Sequence, residues 1–336
     1  MAATGTLQVP VVVVSGFLGS GKTTLLNRLL QAPGARVGVV INDFGQINVD
    51  AGMVSGQIDA PASIAGGCLC CLPDAGGLDD ALERLADPRR RLDVIIVEAS
   101  GVADPIALRR TVRFSGVEHV RPGGLVEVVD AGAYDALLAS RRIAARRFAA
   151  ASLVVLNKVD RAQDPSVVTR VRDAVLEHNP AAVLVTASHG KIDPELVFDV
   201  AATTDAEGQL PLGELVRETH PDHVHADAVT VRAPAPVEAG LLVDLLEDPP
   251  ASVYRLKGSV LVDAGRGARA YAVNVVGRHV HVSQRRTVAD HGLVAIGIGI
   301  DRSVVTARLE RTLRPAHRRS SSDGVRRLVR YKRLSA

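Results

Sequence analysis

The chain has 336 residues, which is enough for about two domains and a substantial buried core. Hydrophobic residues make up 47% of it, and no apolar run reaches the roughly 18 residues of a membrane span, so we expect a globular protein. The formal net charge of +3 is too small to indicate nucleic-acid binding, and residues 1–15 show no secretory signal.

The first predicted element is a strand that carries four consecutive valines, Val11 to Val14. Such a run is typical of a strand buried on both faces of a parallel sheet. The pattern Gly16-x-x-x-x-Gly21-Lys22-Thr23 follows directly, and residues from 24 onward have helical spacing. This strand, glycine-rich loop and helix predict a phosphate-binding loop, although a glycine-rich turn with a chance lysine remains the alternative.

In a phosphate-binding loop, glycines let backbone N–H groups point at phosphate oxygens, and the following helix presents its positive end. We expect Lys22 to bridge the β and γ phosphates and the Thr23 hydroxyl to hold Mg²⁺. The residues predicted to hold the nucleotide in this loop are Gly16, Gly19, Ser20, Gly21, Lys22, Thr23 and Thr24.

A second strand is predicted over residues 36–41, and a polar loop follows over residues 42–50. Loops in this position often approach the metal and the γ-phosphate. Asp43 is therefore a candidate metal contact, and Asp50 is a candidate catalytic carboxylate. Ordinary turn chemistry is the alternative for both residues.

All three cysteines lie within four residues, at Cys68, Cys70 and Cys71. An odd number at this density argues against a disulfide framework and for a reducing compartment, the cytoplasm. Three thiolates from one loop, completed by a carboxylate, an imidazole or water, would form a tetrahedral site for a soft or borderline cation. Buried apolar cysteines are the alternative, which is common for one cysteine and unusual for three so close together.

The next predicted strand ends in a candidate site residue. Residues 92–97 form a buried strand that places Glu98 at its carboxyl end, where ligands collect in open α/β sheets. We expect Glu98 to orient a Mg²⁺-bound or attacking water. The predicted catalytic residues are therefore Glu98 and two residues introduced above, Lys22 and Asp50. A helix-capping role is the alternative for Glu98.

Strands are then predicted over residues 124–130, 151–156 and 183–188, and the second of them runs into Asn157-Lys158-Val159-Asp160. The Asp160 carboxylate can accept hydrogen bonds from two guanine N–H groups, which adenine cannot supply. We expect Lys158 to lie over the base and Asn157 to tie the loops together. This tetrapeptide predicts a guanine site because it follows a phosphate-loop pattern and a buried strand.

The alternation of strands and helices ends near residue 200, which predicts a phosphate-loop α/β domain with a mostly parallel sheet over residues 1–202. We expect a linker over 203–224 and a smaller α+β domain over 225–314, with strands at 227–232, 253–262, 268–282 and 293–300. Residues 315–336 are rich in arginine, and we expect a mobile, solvated tail. The histidines at the junction have metal-ligand spacing, with a polar linker as the alternative: His220, His223 and His225.

Together these motifs resemble the CobW family of metal-handling GTPases. The resemblance rests on the phosphate loop, on Asn42-x-Phe-Gly45, on Gly67-Cys-Leu-Cys-Cys71, on Glu98-x-x-Gly101, on the Asn157 tetrapeptide and on a C-terminal domain that opens with histidines. It covers nearly the whole chain and implies binding of GTP and Mg²⁺, with Zn²⁺ or Co²⁺ held at the cysteines. The family usually has Glu where Asp43 stands, so the candidate metal contact of this chain has a side chain one methylene shorter.

The resemblance implies a GTP-hydrolysing metallochaperone that delivers a transition metal, most often zinc, to a client metalloprotein. Three alternatives stay open: cobalt delivery for cobalamin synthesis or metalloenzyme activation, zinc buffering or sensing with incidental GTPase activity, and a regulatory GTPase with purely structural cysteines. We expect no nucleic-acid or membrane partner, and a homodimer is a further candidate assembly.

Overall fold

The computed structural model describes residues 8–31, 35–42, 61–64, 76–99, 104–139, 145–198, 226–251, 253–264, 267–285, 291–316 and 320–335. The chain divides into two compact units, one over Leu7–His225 and another that contains Ala226–Ala336. None of the described helices is long and apolar enough to cross a membrane. Each unit has its own sheet and its own apolar core.

The first unit is built on a seven-stranded sheet in the order β3-β2-β4-β1-β5-β6-β7. All of its strand pairs are parallel. Its strands are β1 (Val9–Gly16), β2 (Val37–Asn42), β3 (Pro61–Ile64), β4 (Val94–Glu98), β5 (Val120–Asp130), β6 (Leu153–Asn157) and β7 (Val183–Ala187). The predicted α/β fold with a parallel sheet is thereby confirmed, and the short strand β3 is an addition to the prediction.

Helices connect these strands: α1 (Lys22–Leu30), α2 (Gly76–Leu85), α3 (Pro105–Arg113), α4 (Tyr134–Ala139) and α5 (Val167–His178). Short 3-10 helices lie at Pro88–Arg90, Ala145–Ala150, Val159–Arg161 and Pro194–Leu196. The four consecutive valines of β1 are at most 2% exposed, as expected for a central strand covered on both faces. Because β1 lies between β4 and β5, the carboxyl ends of these strands meet at one edge of the sheet.

The second unit is a six-stranded sheet with three described helices. Its strands are β8 (Asp227–Arg232), β9 (Val237–Glu238), β10 (Val253–Asp263), β11 (Ala268–Val276), β12 (His279–Arg285) and β13 (Gly292–Gly297). The order β12-β11-β10-β13-β8 is antiparallel, while β9 pairs with β10 in parallel. The helices are α6 (Ala239–Glu247), α7 (Arg302–Leu313) and α8 (Ser322–Leu334).

Two sequence predictions for this unit are wrong. Residues 268–282 were expected to form one strand, but the chain reverses at Gly277, whose φ of 56° is in the left-handed region that glycine adopts easily, and forms the β11–β12 hairpin. The tail expected to be mobile instead contains α8, which packs on α6. Leu328 of α8 is 1% exposed within the core of the unit.

Helix α8 begins at a serine cap and is held on α6 by specific contacts. The Ser321 hydroxyl accepts a hydrogen bond from the Gly324 N–H at 3.0 Å and so caps the helix. A Cβ on Gly324 would lie 2.5 Å from the backbone nitrogen of Gly240 in α6, so glycine permits the close approach of the two helices. Arg327 forms ion pairs with Asp244 at 2.8 Å and with Glu247 at 2.6 Å.

We expect Leu328→Ala to destabilise the packing of α8 by about 2–5 kcal/mol, because a buried leucine leaves a cavity when it is truncated. Amide hydrogen exchange over residues 322–334 of the full chain measures the effect as faster exchange. The matched control is Leu334→Ala, which truncates a leucine that is 65% exposed on the same helix. Equal exchange in both variants and in the unaltered chain would show that α8 does not depend on this contact.

Candidate functional site

The phosphate loop between β1 and α1 has a backbone that only glycine can follow at two positions. Gly16 and Gly21 have φ values of 150° and 102°. A Cβ on Gly16 would lie 2.4 Å from the Val128 carbonyl oxygen, and one on Gly21 would lie 2.3 Å from Asn157 Nδ2. Both distances are far inside van der Waals contact. The glycines therefore allow the loop to pack against the ends of β5 and β6.

Lys22 is the first residue of α1 and is 8% exposed. Its Nζ donates hydrogen bonds to the carbonyl oxygens of Gly16 at 3.0 Å and Phe17 at 3.3 Å, so the ammonium group folds back over the loop. No side chain caps the start of α1, and its first turn contains no acidic residue. The positive end of the helix dipole is therefore directed at the same place as the lysine charge, which favours an anion there.

The side chain of Thr23, on α1, contacts the side chain of Glu98, at the end of β4. Glu98 ends β4 and pairs in register with Val14 of β1, which brings its side chain to the start of α1. The Thr23 hydroxyl donates to Glu98 Oε1 at 3.0 Å, and Glu98 is only 4% exposed. A hydroxyl and a carboxylate in contact are the oxygen donors that Mg²⁺ prefers, so these two residues fit a magnesium site.

Asn157 connects the phosphate loop to the loop after β7. Its Nδ2 donates to the Ser20 carbonyl oxygen at 3.0 Å, and its Oδ1 accepts from the Gly190 N–H at 2.9 Å. The residue is 1% exposed, so both hydrogen bonds are shielded from water. Gly190 in turn lies against the start of α1, because a Cβ there would be 2.8 Å from the Leu25 nitrogen.

Lys158 has a partner that the sequence analysis missed. Its backbone is left-handed, with φ of 61°, and its Nζ donates to the Gly19 carbonyl oxygen at 2.6 Å and to Asp130 Oδ2 at 2.7 Å. Asp130 ends β5, and its other oxygen accepts from the Gly132 N–H at 2.9 Å. The sequence signal for Asp130 was the one used for Glu98, an acid at the carboxyl end of a buried strand.

Asp160 lies two residues further on, in the 3-10 helix Val159–Arg161. Its side chain is 34% exposed, and its only close cation among the described residues is Arg161, at 3.8 Å. The contact is long and exposed, so it holds the carboxylate weakly. This carboxylate is therefore able to accept hydrogen bonds from a ligand that lies at the edge of the sheet.

The described residues bring five strand ends together: the phosphate loop after β1, Glu98 after β4, Asp130 after β5, Asn157 to Asp160 after β6, and Gly190 after β7. The remaining predicted site residues lie outside the described ranges: Asp43, Asp50, Cys68, Cys70, Cys71, His220, His223 and His225. Within the described ranges, no group of three or more His, Cys, Asp or Glu side chains is placed to hold a metal ion. The predicted transition-metal site is thus carried by the sequence alone.

Two curated proteins show the extent of the similarity to known sequences. The chain is 30% identical to "Zinc chaperone CobW" of Pseudomonas aeruginosa, over 91% of this chain and 92% of that protein. It is 28% identical to "Zinc chaperone YjiA" of Escherichia coli, over 76% of this chain and 82% of that protein. Among solved structures, the Zn(II)-bound YjiA GTPase of E. coli matches with a TM-score of 0.43 and 21% identity, over 91% of this chain and 99% of that chain.

Two family models match the two units of the chain. The nucleotide-binding domain of CobW/HypB/UreG matches residues 10–186, which is more than half of the chain and includes every strand end described above except Gly190. The C-terminal domain of the cobalamin synthesis protein cobW matches residues 226–313. The chain therefore belongs to the CobW/HypB/UreG family of nucleotide-binding proteins and carries a C-terminal domain of the CobW type.

Proposed function

We propose that the chain is a GTP-hydrolysing metallochaperone that binds a transition metal, zinc foremost, at Cys68, Cys70 and Cys71 and delivers it to a client metalloprotein. One observation supports the GTPase assignment. Lys22, the Thr23–Glu98 pair and the contacts of Asn157 and Lys158 all lie at one edge of the sheet. The metal part is supported by the spacing of the cysteines and by the names of the relatives, which are zinc chaperones.

In this proposal the residues at the sheet edge divide nucleotide binding, Mg²⁺ binding and catalysis among them. Lys22 and the glycines hold the phosphates, and Thr23 and Glu98 hold Mg²⁺, which supplies charge neutralisation on the phosphate oxygens. Glu98 also orients the attacking water, with Asp50 as a second candidate carboxylate. Asp160 accepts the guanine N–H groups, and Lys158 covers the base while Asp130 and Gly19 hold its ammonium group in place.

The cargo metal belongs to the cysteine loop rather than to the Mg²⁺ pair. Thiolates prefer zinc or cobalt over magnesium, so the two metals are sorted by ligand chemistry. Asp43 is a candidate fourth ligand, and cobalt instead of zinc is the alternative cargo. The clustered cysteines also make a reducing compartment, the cytoplasm, the proposed location.

Nucleotide choice tests the guanine site. We expect the chain to bind GTP more tightly than ATP, and Asp160→Asn to reduce GTP affinity by about 10- to 100-fold, since hydrogen bonds to a charged group contribute roughly 1.5–3 kcal/mol each. Competition binding with a fluorescent nucleotide measures both affinities. The control is Asp173→Asn, which removes the same charge from an exposed position on α5. Equal GTP and ATP affinity in the unaltered chain would contradict the guanine assignment.

Catalysis tests the role of Glu98. Glu98→Gln keeps the shape of the side chain but removes the carboxylate charge, and we expect turnover of bound GTP to fall by about 10²-fold or more at saturating Mg²⁺, while GTP affinity changes little. Lys22→Ala should instead lose GTP affinity. Single-turnover phosphate release measures the first effect, with Glu177→Gln on the exposed side of α5 as the control. Unchanged turnover in Glu98→Gln would remove this residue from the mechanism.

The effect of bound nucleotide on metal affinity tests the metallochaperone assignment. We expect Mg²⁺ with a non-hydrolysable GTP analogue to raise Zn²⁺ or Co²⁺ affinity by roughly 5- to 150-fold, the usual range of such couplings, and GDP to raise it less. Replacing all three cysteines with serine should abolish the coupling and leave GTP binding nearly intact. The measurement is competition with a metal indicator in the nucleotide-free, GDP and analogue states.

Equal metal affinities in the nucleotide-free, GDP and analogue states would contradict a nucleotide switch. The buffering alternative would then be favoured, because a zinc buffer needs tight metal binding but no response to GTP. A chain that hydrolyses GTP and binds no metal at the cysteines would favour the third alternative, a regulatory GTPase.

A further inference from the structure

An arginine of the 3-10 helix Ala145–Ala150 bridges two strands at the point where the phosphate loop begins. Ser15 of β1 and Glu127 of β5 are partners in the register of these parallel strands, so their side chains leave the sheet on the same face. Arg147 Nε donates to Glu127 Oε1 at 2.7 Å, and another guanidinium nitrogen of Arg147 donates to Ser15 Oγ at 2.9 Å. One side chain thus joins β1 and β5 near their carboxyl ends.

The contacts of Arg147 are largely shielded from water. Ser15 is 0% exposed, and the side chains of Glu127 and Arg147 are 4% and 15% exposed. Hydrogen bonds between an arginine and a carboxylate are charge-assisted, and they gain strength where water is excluded. Because the planar guanidinium presents its donors in a rigid fork, the bridge fixes the position of Ser15 relative to Glu127.

This bridge ends one residue before the phosphate loop. Ser15 is followed by Gly16, whose carbonyl oxygen accepts the hydrogen bond from Lys22 Nζ at 3.0 Å. Gly16 also lies against β5, because a Cβ there would be 2.4 Å from the carbonyl oxygen of Val128, the residue after Glu127. A displacement of Ser15 would therefore move the carbonyl group that the Lys22 ammonium contacts.

We propose that Arg147 is a positioning residue for nucleotide binding, which acts through Ser15 by holding the start of the phosphate loop in the geometry that binds phosphates. This role rests on the proposed function, because it requires that the loop binds a nucleotide. Asn157 Nδ2 holds the Ser20 carbonyl oxygen, so the loop is fixed at both ends. An ion pair that only stabilises the fold is the competing explanation, and it would not act on the phosphates selectively.

The test compares GTP with guanosine, which lacks phosphates, by competition with a fluorescent guanine nucleotide whose own affinity is measured in each variant. Arg147→Lys keeps a positive charge beside Glu127 but loses the forked donors. We expect it to weaken GTP binding about tenfold and to leave guanosine binding unchanged, since one charge-assisted contact to the loop is lost. Ser15→Ala, a smaller change that keeps the ion pair, should weaken GTP binding several-fold and also spare guanosine.

Matched controls change similar contacts elsewhere in the chain. Ser115→Ala removes a hydroxyl that donates to Asp79 Oδ1 at 2.7 Å. Arg327→Lys alters an arginine that pairs with two carboxylates of the second unit, those of Asp244 and Glu247. Both control variants should bind GTP and guanosine as the unaltered chain does.

A double variant shows whether Arg147 acts through Ser15. It should bind GTP no more weakly than Arg147→Lys alone, because both changes break the same contact. Additive losses, equal losses of GTP and guanosine affinity, or unchanged GTP affinity in both single variants would each overturn the positioning role alone. Failure of the unaltered chain to bind GTP would instead contradict the proposed function, and this role with it.

Discussion

The arrangement of the site depends on the side-chain amide of Asn157. Its two hydrogen bonds join the Ser20 carbonyl oxygen to the Gly190 N–H, and its Nδ2 lies so close to Gly21 that a Cβ there could not fit. An amide supplies a donor and an acceptor on one planar group, which neither a carboxylate nor an aliphatic side chain of similar size can do. One buried residue at the end of β6 thereby sets the distance between the phosphate loop and the loop after β7.

The contacts of Lys158 extend the same constraint toward β5. Its ammonium group binds the phosphate loop through Gly19 and the sheet through Asp130, so the residue expected to cover the base is anchored at both sides. The Thr23–Glu98 contact lies on the side of β4, and the Lys158 contacts lie on the side of β5. Both strands that neighbour β1 therefore contribute interactions around the start of α1. Such preorganised donors and charges need little rearrangement when a charged ligand binds.

Much of the first unit was predictable because its strands are continuous apolar runs and each candidate residue follows such a run directly. Asn157 was expected to tie the loops together, and its hydrogen bonds to Ser20 and Gly190 do so. Asp130 was not assigned a role, because an aspartate before a glycine-containing turn is equally typical of turn chemistry, and it also accepts from the Gly132 N–H. Its pairing with Lys158 joins residues 28 positions apart.

The errors in the second unit have a similar cause. The basic segment at the C-terminus has no apolar run, and the carboxylates that pair with Arg327 lie about 80 residues earlier in the sequence, on α6. The turn at Gly277 lies within one long strand-like pattern and becomes visible only through strand pairing. In the first unit, the short strand β3 was missed because Pro-Ala-Ser-Ile has no strand periodicity. Long-range pairing, rather than local propensity, decides all three features.

If the chain binds metal more tightly with GTP than with GDP, as proposed above, hydrolysis of GTP at the sheet edge releases the metal from the cysteine loop. The most direct measurement is a single turnover of the zinc- and GTP-loaded chain, with phosphate release and zinc transfer to a fluorescent chelator recorded together. The account predicts that zinc transfer follows phosphate release with the same rate constant and that both slow equally in Glu98→Gln. Phosphate release without faster zinc transfer, or zinc transfer at an unchanged rate in Glu98→Gln, would contradict it.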